Sequence, residues 1–262
     1  MEELTREIFK QTDDYQKQPF RWVLELIESG RILIGGCSGS GKSVALKDII
    51  YTLMARDPNT NQFVFVDLKR VELKVFKPAP HTLAYVTEPQ DVEQALNRVL
   101  MLIDARYRRM EQRNELKSSD PAVWVVVDEY ADLVTMGNKR IEKAIQRIAQ
   151  IGRACKVFLI LCTQCPLASI ITTPIKANFS SRLACRTVCA QDSRNILNGM
   201  NGAEKLPKYG KAIMQVDGNN TTVDIPFLTQ EELESRVRAW RGTYRNAEST
   251  VIPYTRQTYK YN

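Results

Sequence analysis

The chain has 262 residues, of which 44% are hydrophobic and 26% are charged, an ordinary composition for a globular protein with one large α/β domain or two small ones. No run approaches the roughly 20 consecutive apolar residues that a membrane-spanning helix needs. Charged side chains near the N-terminus argue against a signal peptide. We therefore predict a cytoplasmic protein without a membrane segment, and the net charge of +7 favours a polyanionic partner, most commonly nucleic acid.

Apolar runs alternate with amphipathic stretches along the first part of the chain. We predict strands at 31–35, 63–66, 123–127 and 157–161, and helices at 44–54, 90–117 and 141–151. The run at 123–127 is apolar throughout, which is typical of a strand covered on both faces. This alternation predicts an α/β fold with a mainly parallel central sheet and helices on both faces.

The pattern changes after residue 180. Three more strands are predicted, and the last two form a C-terminal β-hairpin with its turn at 217–220; the three lie at 182–188, 212–216 and 221–227. A closing helix at 229–240 begins at Thr229, with Glu232 completing a capping box. We expect one domain at 31–240, an N-terminal extension at 1–30 and a basic, tyrosine-rich tail at 241–262.

A phosphate-binding loop follows the first predicted strand. Residues 36–43 fit the pattern G-x-x-x-x-G-K-[ST] between a strand and a helix, which is the context that phosphate binding requires. The glycines let successive N–H groups point at a phosphate, and the helix N-terminus adds positive potential. Lys42 is expected to neutralise the β- and γ-phosphates of ATP, and Ser43 to supply a hydroxyl to Mg²⁺. The predicted nucleotide-binding residues are Gly36, Cys37, Ser38, Gly39, Ser40, Gly41, Lys42, Ser43 and Val44.

An acidic pair follows the apolar strand at 123–127. Asp128 is predicted to bind Mg²⁺ together with Ser43, and Glu129 to orient and deprotonate the attacking water. The alternative is a capped strand end with solvated acids, which the phosphate-binding loop upstream makes the weaker interpretation. Gln164, just after the strand at 157–161, either reaches the γ-phosphate or is simply a polar strand terminus.

Four of the six cysteines have a spacing that allows a zinc site. Cys162 and Cys165 are separated by two residues, and Cys185 and Cys189 follow downstream. Four thiolates at such spacing can hold a structural zinc ion. The alternative is that Cys162 and Cys185 are small buried residues of two strands, which is a common place for cysteine.

Taken together, the motifs resemble the motor domain of the FtsK/SpoIIIE family of DNA translocases, within the FtsK–HerA group of P-loop ATPases. The resemblance includes the phosphate-binding loop and the segments Asp67-Leu-Lys-Arg-Val-Glu-Leu73, Val127-Asp-Glu-Tyr-Ala-Asp-Leu133 and Thr163-Gln-Cys-Pro166. It continues through 148–154, 175–178, 192–197 and 202–204, in family order. It covers about residues 30–240.

The resemblance implies a RecA-like fold, a homohexameric ring around double-stranded DNA, and ATP sites at subunit interfaces. It places on Arg182 the arginine that reaches the neighbouring subunit's nucleotide, with Arg153 and Arg194 as reserve candidates; the alternative is a surface arginine beside a strand. It also places DNA backbone contacts on Arg194, Lys205 and Lys208, although each is equally consistent with a solvated charge.

Two departures from the family pattern affect the expected function. Cys165 stands where family members usually have arginine, which puts the usual sensing of nucleotide in doubt. The sequence also lacks the membrane segments and the winged helix of chromosome-segregating members, which suggests an excised motor or a minimal one from a plasmid, phage or conjugative element. Alternatives are an ATPase of a type VII-like protein-secretion machine or of a DNA-transfer coupling machine, and a nucleotide-dependent scaffold.

Overall fold

Strands and helices alternate in a computed structural model that describes residues 21–56 and 60–243. The strands are β1 (Arg31–Gly35), β2 (Asn61–Val66), β3 (Thr82–Val86), β4 (Ala122–Val127), β5 (Val157–Thr163), β6 (Ser181–Ala184), β7 (Lys211–Val216) and β8 (Asn219–Asp224). The helices are α1 (Arg21–Ile27), α2 (Lys42–Arg56), α3 (Pro89–Arg113), α4 (Tyr130–Thr135), α5 (Lys139–Ile151), α6 (Thr173–Asn178), α7 (Ala190–Ile196) and α8 (Gln230–Thr243). Most of the predicted N-terminal extension and nearly all of the tyrosine-rich tail lie outside the described residues.

The eight strands form one sheet in the order β3-β2-β4-β5-β1-β6-β7-β8. The strands from β3 to β6 are parallel, and β7 and β8 add an antiparallel hairpin at the edge. The predicted fold is therefore confirmed, including the hairpin. Because β5 lies between β1 and β4, the carboxyl ends of these three parallel strands meet at one edge of the sheet, where α/β proteins bind their ligands.

Side chains that alternate along the strands divide the core into two layers. On β1, Ile32 and Ile34 pack with α1, α2 and α8, whereas Leu33 packs with α3, α5 and α7 on the opposite face. On β4, Trp124 and Val126 belong to the first layer, and the other three valines belong to the second. Since successive strand residues point to opposite faces, an all-apolar strand is what a sheet covered on both sides requires.

The structure corrects several predicted boundaries. β6 ends at Ala184 rather than at residue 188 because the chain leaves the sheet to bond elsewhere: the Arg186 carbonyl accepts from the Cys37 N–H at 2.8 Å, and the Thr187 N–H donates to the Ala203 carbonyl. The long helix α3 ends at Arg113 rather than at residue 117, because Asn114 takes a left-handed conformation with φ of 53°.

The structure shows the length of the hairpin loop and how the closing helix α8 begins. The loop between β7 and β8 contains two residues, Asp217 and Gly218, with φ of 49° and 83°, so the predicted four-residue turn was two residues too long. The capping box is confirmed: the Thr229 N–H donates to Glu232 Oε2 at 2.9 Å, and the Glu232 N–H donates to Thr229 Oγ1 at 3.2 Å. Among the helices within 21–56 and 60–243, none combines the length and apolar character needed to span a bilayer.

Candidate nucleotide-binding site

The loop between β1 and α2 has the backbone that phosphate binding requires. Gly39 and Gly41 have φ of +69° and +89°, a conformation that side-chain-bearing residues rarely adopt. A Cβ atom at Gly36 would lie 2.6 Å from Ser40 Oγ and 2.8 Å from Cys185 Cβ, so only glycine fits there. The loop thus reaches the start of α2 in a compact turn, and its glycine positions have a steric reason.

Lys42 lies inside the loop, with its side chain only 4% exposed. Its Nζ is 3.5 Å from Asp128 Oδ1 and donates to the Asp128 backbone carbonyl at 3.3 Å. Burial lowers the pKa of Lys42, but the surrounding acidic groups, which include Asp128, Glu129 and Glu72, outweigh burial and the net pKa is raised. The ammonium group therefore stays charged, as the neutralisation of a phosphate requires.

Asp128 directly follows β4 and is 3% exposed. Burial raises the pKa of its carboxyl, and the charges of Asp67, Glu72 and Glu129 raise it further, against the opposing effect of Lys42. Its Oδ1 has no hydrogen-bond partner within the described residues. A buried carboxylate oxygen that lacks a donor fits a Mg²⁺ ion, which takes one or two protein oxygens and completes its shell with phosphates and water.

Ser43 and Glu72 lie on the same cavity wall. Glu72 forms an ion pair with Lys47 at 3.0 Å. Burial opposes the charged form of Glu72, yet hydrogen bonds from Lys47 and Ser43 lower its pKa overall. The Ser43 hydroxyl is therefore held beside a carboxylate, and a bound cation would find hard oxygen donors here. Glu72 was not predicted as a site residue, although it belongs to the segment at 67–73 that carries part of the family resemblance.

Glu129 is fixed by backbone amides from two directions. Its carboxylate accepts from the Gln164 N–H at 2.9 Å and from the Ala131 N–H at 3.4 Å. Lys69 Nζ lies 3.9 Å from Glu129 Oε2 and 3.5 Å from Asp132 Oδ2. The side chain is 7% exposed, so it is held at the end of β4 rather than solvated. The interpretation of a simple solvated strand end is therefore wrong.

Lys42, Ser43 and Glu72 border a cavity of about 590 Å³. The predicted residues Cys37 to Val44 and Gln164 line it, whereas Gly36 is not among the lining residues. Four lining residues come from the C-terminal hairpin region and were missed: Tyr209, Gly210, Ile225 and Phe227. No local motif marks them, because they come together only through the pairing of β7 with β8.

The three predicted DNA-binding residues separate into two places. The Lys208 Cε atom lies 3.9 Å from the point that a Cβ on Gly39 would occupy, and its Nζ lies 5.0 Å from the centroid of the Tyr209 ring. Lys208 is therefore beside the phosphate-binding loop. Arg194 on α7 donates to Gln191 Oε1 at 3.1 Å, and Lys205 is exposed at the end of a short 3-10 turn.

Arg182 on β6 is inside the subunit, with 4% exposure. Its Nε donates to the Phe179 carbonyl at 2.9 Å, its Nη1 to the Ile196 carbonyl at 3.2 Å and its Nη2 to the Lys176 carbonyl at 2.5 Å. Burial lowers its pKa. This placement differs from the exposed guanidinium that a residue reaching into a neighbouring subunit needs. Of the two reserve candidates, Arg153 is exposed after α5, and Arg194 is partly buried on α7.

The four-cysteine zinc site is not formed. Cys162 on β5 and Cys185 after β6 are fully buried, whereas Cys165 and Cys189 are exposed. Throughout the part of the chain that the structure describes, no group of three or more His, Cys, Asp or Glu side chains is arranged to hold a metal ion. Burial raises the pKa of Cys185 to about 12, so that this thiol stays protonated and acts as a small core residue.

The loop geometry and the parallel sheet define a P-loop NTPase fold, and the comparisons agree. A sequence model of the FtsK/SpoIIIE family matches residues 13–120 and 110–168. The DNA translocase FtsK of Oceanobacillus iheyensis is 38% identical over 235 residues, which cover 81% of this chain and 30% of that protein. The DNA translocase SpoIIIE of Bacillus subtilis is 36% identical over 238 residues, which cover 82% and 30%. The chain belongs to the FtsK/SpoIIIE family.

Solved structures confirm the fold. The conjugation coupling protein TcpA of pCW3, solved as a monomer with ATPγS, matches with a TM-score of 0.73 and 22% identity over 82% of this chain and 66% of that one. ATPases 2 and 3 of EssC from Geobacillus thermodenitrificans match with a TM-score of 0.70 and 17% identity over 83% of this chain and 44% of that one. The chain spans about 30% of the length of the curated relatives described above.

Proposed function

We propose that this chain is an ATP-hydrolysing motor that moves along double-stranded DNA as a ring-shaped homohexamer. The observation that carries the proposal is the buried ion pair between Lys42, which lines the cavity beside the loop, and Asp128, which is followed by the buried Glu129. Support for DNA as the substrate comes from the relatives, which are named DNA translocases, and from the positive net charge of the chain.

The chemistry follows from where the side chains lie. Lys42 neutralises charge on the β- and γ-phosphates, while the loop amides hold the phosphate oxygens. Ser43 and Asp128 would hold Mg²⁺, which supplies further positive charge to the phosphates. Glu129 takes the proton of the attacking water on its carboxylate, whose orientation is set by the N–H groups of Gln164 and Ala131. The Gln164 side chain, exposed on the cavity wall, faces the terminal phosphate in this proposal.

Assembly into a ring places each ATP beside a neighbouring subunit. An arginine from that neighbour would stabilise charge on the transferring phosphoryl group. Arg182 can serve only if its three bonds to carbonyls break on assembly, whereas Arg153 requires no such change because it is exposed. For DNA, Arg194 and Lys205 are the proposed phosphate contacts, because Lys208 lies beside the nucleotide loop instead.

Measurement of ATPase rate with and without duplex DNA tests the proposal. Strong stimulation by duplex DNA, weakened steeply by added salt, is the expected result for a motor that grips phosphates. A rate indifferent to DNA would instead favour a protein-secretion ATPase, and negligible turnover under every condition would favour a scaffold. Electron microscopy of particles with DNA and an ATP analogue would report the ring and its stoichiometry.

A further inference from the structure

Two exposed aromatic rings border the nucleotide cavity. Tyr209 is 61% exposed and lies just before β7, and Phe227 is 74% exposed and follows β8. Both belong to the lining of the same cavity as the phosphate-binding loop. Exposed aromatic side chains beside a concave surface are typical of a place where a flat ligand binds.

The two rings are held beside the loop by contacts between three segments. The Ile225 N–H donates to the Gly210 carbonyl at 2.9 Å, which ties the segment after β8 to the segment before β7. The Lys208 ammonium lies over the Tyr209 ring, and the Lys208 stem approaches Gly39 at the loop tip. The aromatic pair is therefore positioned relative to the site where the phosphates bind.

The two ends of the cavity differ in what they offer a ligand. At the aromatic end the lining residues are Tyr209, Gly210, Ile225 and Phe227, of which only Tyr209 has a polar side-chain group. The Gly210 carbonyl already accepts a hydrogen bond from Ile225. The polar side chains that line the cavity belong mainly to the loop, Glu72 and Gln164. A ligand at the aromatic end therefore contacts apolar surfaces and few groups that could form hydrogen bonds with the edge of its ring.

We propose that Tyr209 and Phe227 hold the nucleobase of the bound nucleoside triphosphate through its ring faces, and that the site consequently accepts ATP and GTP alike. This inference rests on the proposed function for the position of the phosphates. Sites that hydrogen-bond a ligand group reject analogues lacking it by about 10⁴-fold or more, whereas apolar pockets discriminate by only about 10- to 200-fold. We therefore expect the dissociation constants for ATP and GTP to agree within about 10-fold.

Competition binding with the full chain tests this inference. A fluorescent N-methylanthraniloyl derivative of ATP is displaced by ATP, GTP or inorganic tripolyphosphate, each with Mg²⁺. Tyr209→Ala and Phe227→Ala should each weaken ATP and GTP by roughly 5- to 100-fold, the range found for loss of base stacking on an aromatic ring. Tripolyphosphate, which has no base, should bind as in the wild type. Tyr209→Phe, which keeps the ring, should bind ATP normally.

A second readout and a matched control guard against indirect effects. Phe227→Trp should give a tryptophan signal that changes when ATP binds and stays constant when tripolyphosphate binds. Leu116→Ala removes an apolar side chain that is 93% exposed and outside the cavity lining, so it should leave every affinity unchanged. Melting temperatures of all variants should match the wild type, because the two rings are exposed.

Three results separate the two proposals. Unchanged ATP affinity in both alanine variants, or GTP binding more than about 10-fold weaker than ATP, would overturn the face-recognition inference and leave the phosphate site intact. Equal weakening of tripolyphosphate and ATP would also overturn it, because the rings would then act on the loop. Failure of the wild type to bind either ATP or tripolyphosphate would instead refute the proposed function itself.

Discussion

The two ends of the nucleotide cavity differ in the charge and in the burial of their side chains. At the phosphate end, Lys42, Asp128 and Glu129 carry ionisable groups and are less than 10% exposed; Lys42 is paired with Asp128, and Glu129 accepts from the Gln164 N–H. At the aromatic end, Tyr209 and Phe227 are more than half exposed. Buried charges are costly unless they are paired, so a substitution at the phosphate end should also disturb the groups paired with it. A substitution at the aromatic end should leave the fold unchanged and lower only the affinity for nucleotide.

Lys42→Ala should produce the largest effect, because it removes the phosphate's cation and leaves Asp128 buried without its ion pair. We expect ATP turnover to fall by at least about 1,000-fold, the upper range for loss of one charge-stabilising group. Steady-state hydrolysis and nucleotide binding measure this. Lys139→Ala, which removes a lysine whose side chain is 75% exposed, is the matched control and should be silent. Undiminished hydrolysis in Lys42→Ala would refute the assignment of the loop.

Glu129→Gln should separate binding from chemistry. The amide keeps the shape of the side chain but cannot take a proton, so ATP should bind normally while turnover falls by about 100-fold or more. Asp132→Asn is the control, because Asp132 shares Lys69 with Glu129 but lies farther along α4. Normal turnover in Glu129→Gln would exclude it as the base, and equal losses in the two variants would point to the Lys69 ion pairs instead.

The parts of the cavity that could be predicted are those formed by residues that lie close together in the sequence. The phosphate end was predictable because a strand, a glycine loop and a helix follow one another within residues 31–56, and because an all-apolar strand ends at Asp128. The strand β3 was missed because it is short and only partly buried. The aromatic end was not predictable, since Tyr209 and Phe227 line the same cavity only after β7 pairs with β8.

The direction of the Arg182 side chain is another feature that the sequence alone does not determine. A motif match gave its expected role, but its side-chain direction depends on α6 and α7, which bring three carbonyls around it. Sequence position alone does not tell whether a strand arginine points outward or is enclosed by its own subunit. The structure therefore changes what a substitution at this position is expected to do.

Arg182→Ala should act mainly on stability. Removing the guanidinium leaves three carbonyls without their donor, and the loss should be about 2–4 kcal/mol in the free energy of unfolding. Urea denaturation of the isolated chain measures it, and Arg153→Ala, at an exposed position, serves as the control and should be neutral. A normal unfolding midpoint, with lost turnover that is rescued in mixed rings, would instead support a role of Arg182 in trans.

Asp48 is a second buried acid on the helix that follows the loop, and it contrasts with Asp128 because no cation within residues 21–56 and 60–243 forms an ion pair with it. It lies on α2, is fully buried, and neither carboxyl oxygen has a hydrogen-bond partner within the described residues. Burial raises its pKa from an ordinary value of 3.8 to about 8. The carboxyl is therefore expected to be protonated in the folded state near neutral pH.

A raised pKa makes stability depend on pH with a definite sign. Because the unfolded chain releases this proton near pH 4 and the folded chain near pH 8, the stabilising contribution is complete below pH 4 and is lost as pH rises to 8. The expected slope is on the order of 1 kcal/mol per pH unit. Asp48→Asn should remove that slope between about pH 5 and 8 in urea denaturation, whereas Asp104→Asn, at an exposed position, should keep it. An unchanged slope in Asp48→Asn would mean that the carboxyl is ionised in the fold, and a cation would then have to lie beside it as Lys42 lies beside Asp128.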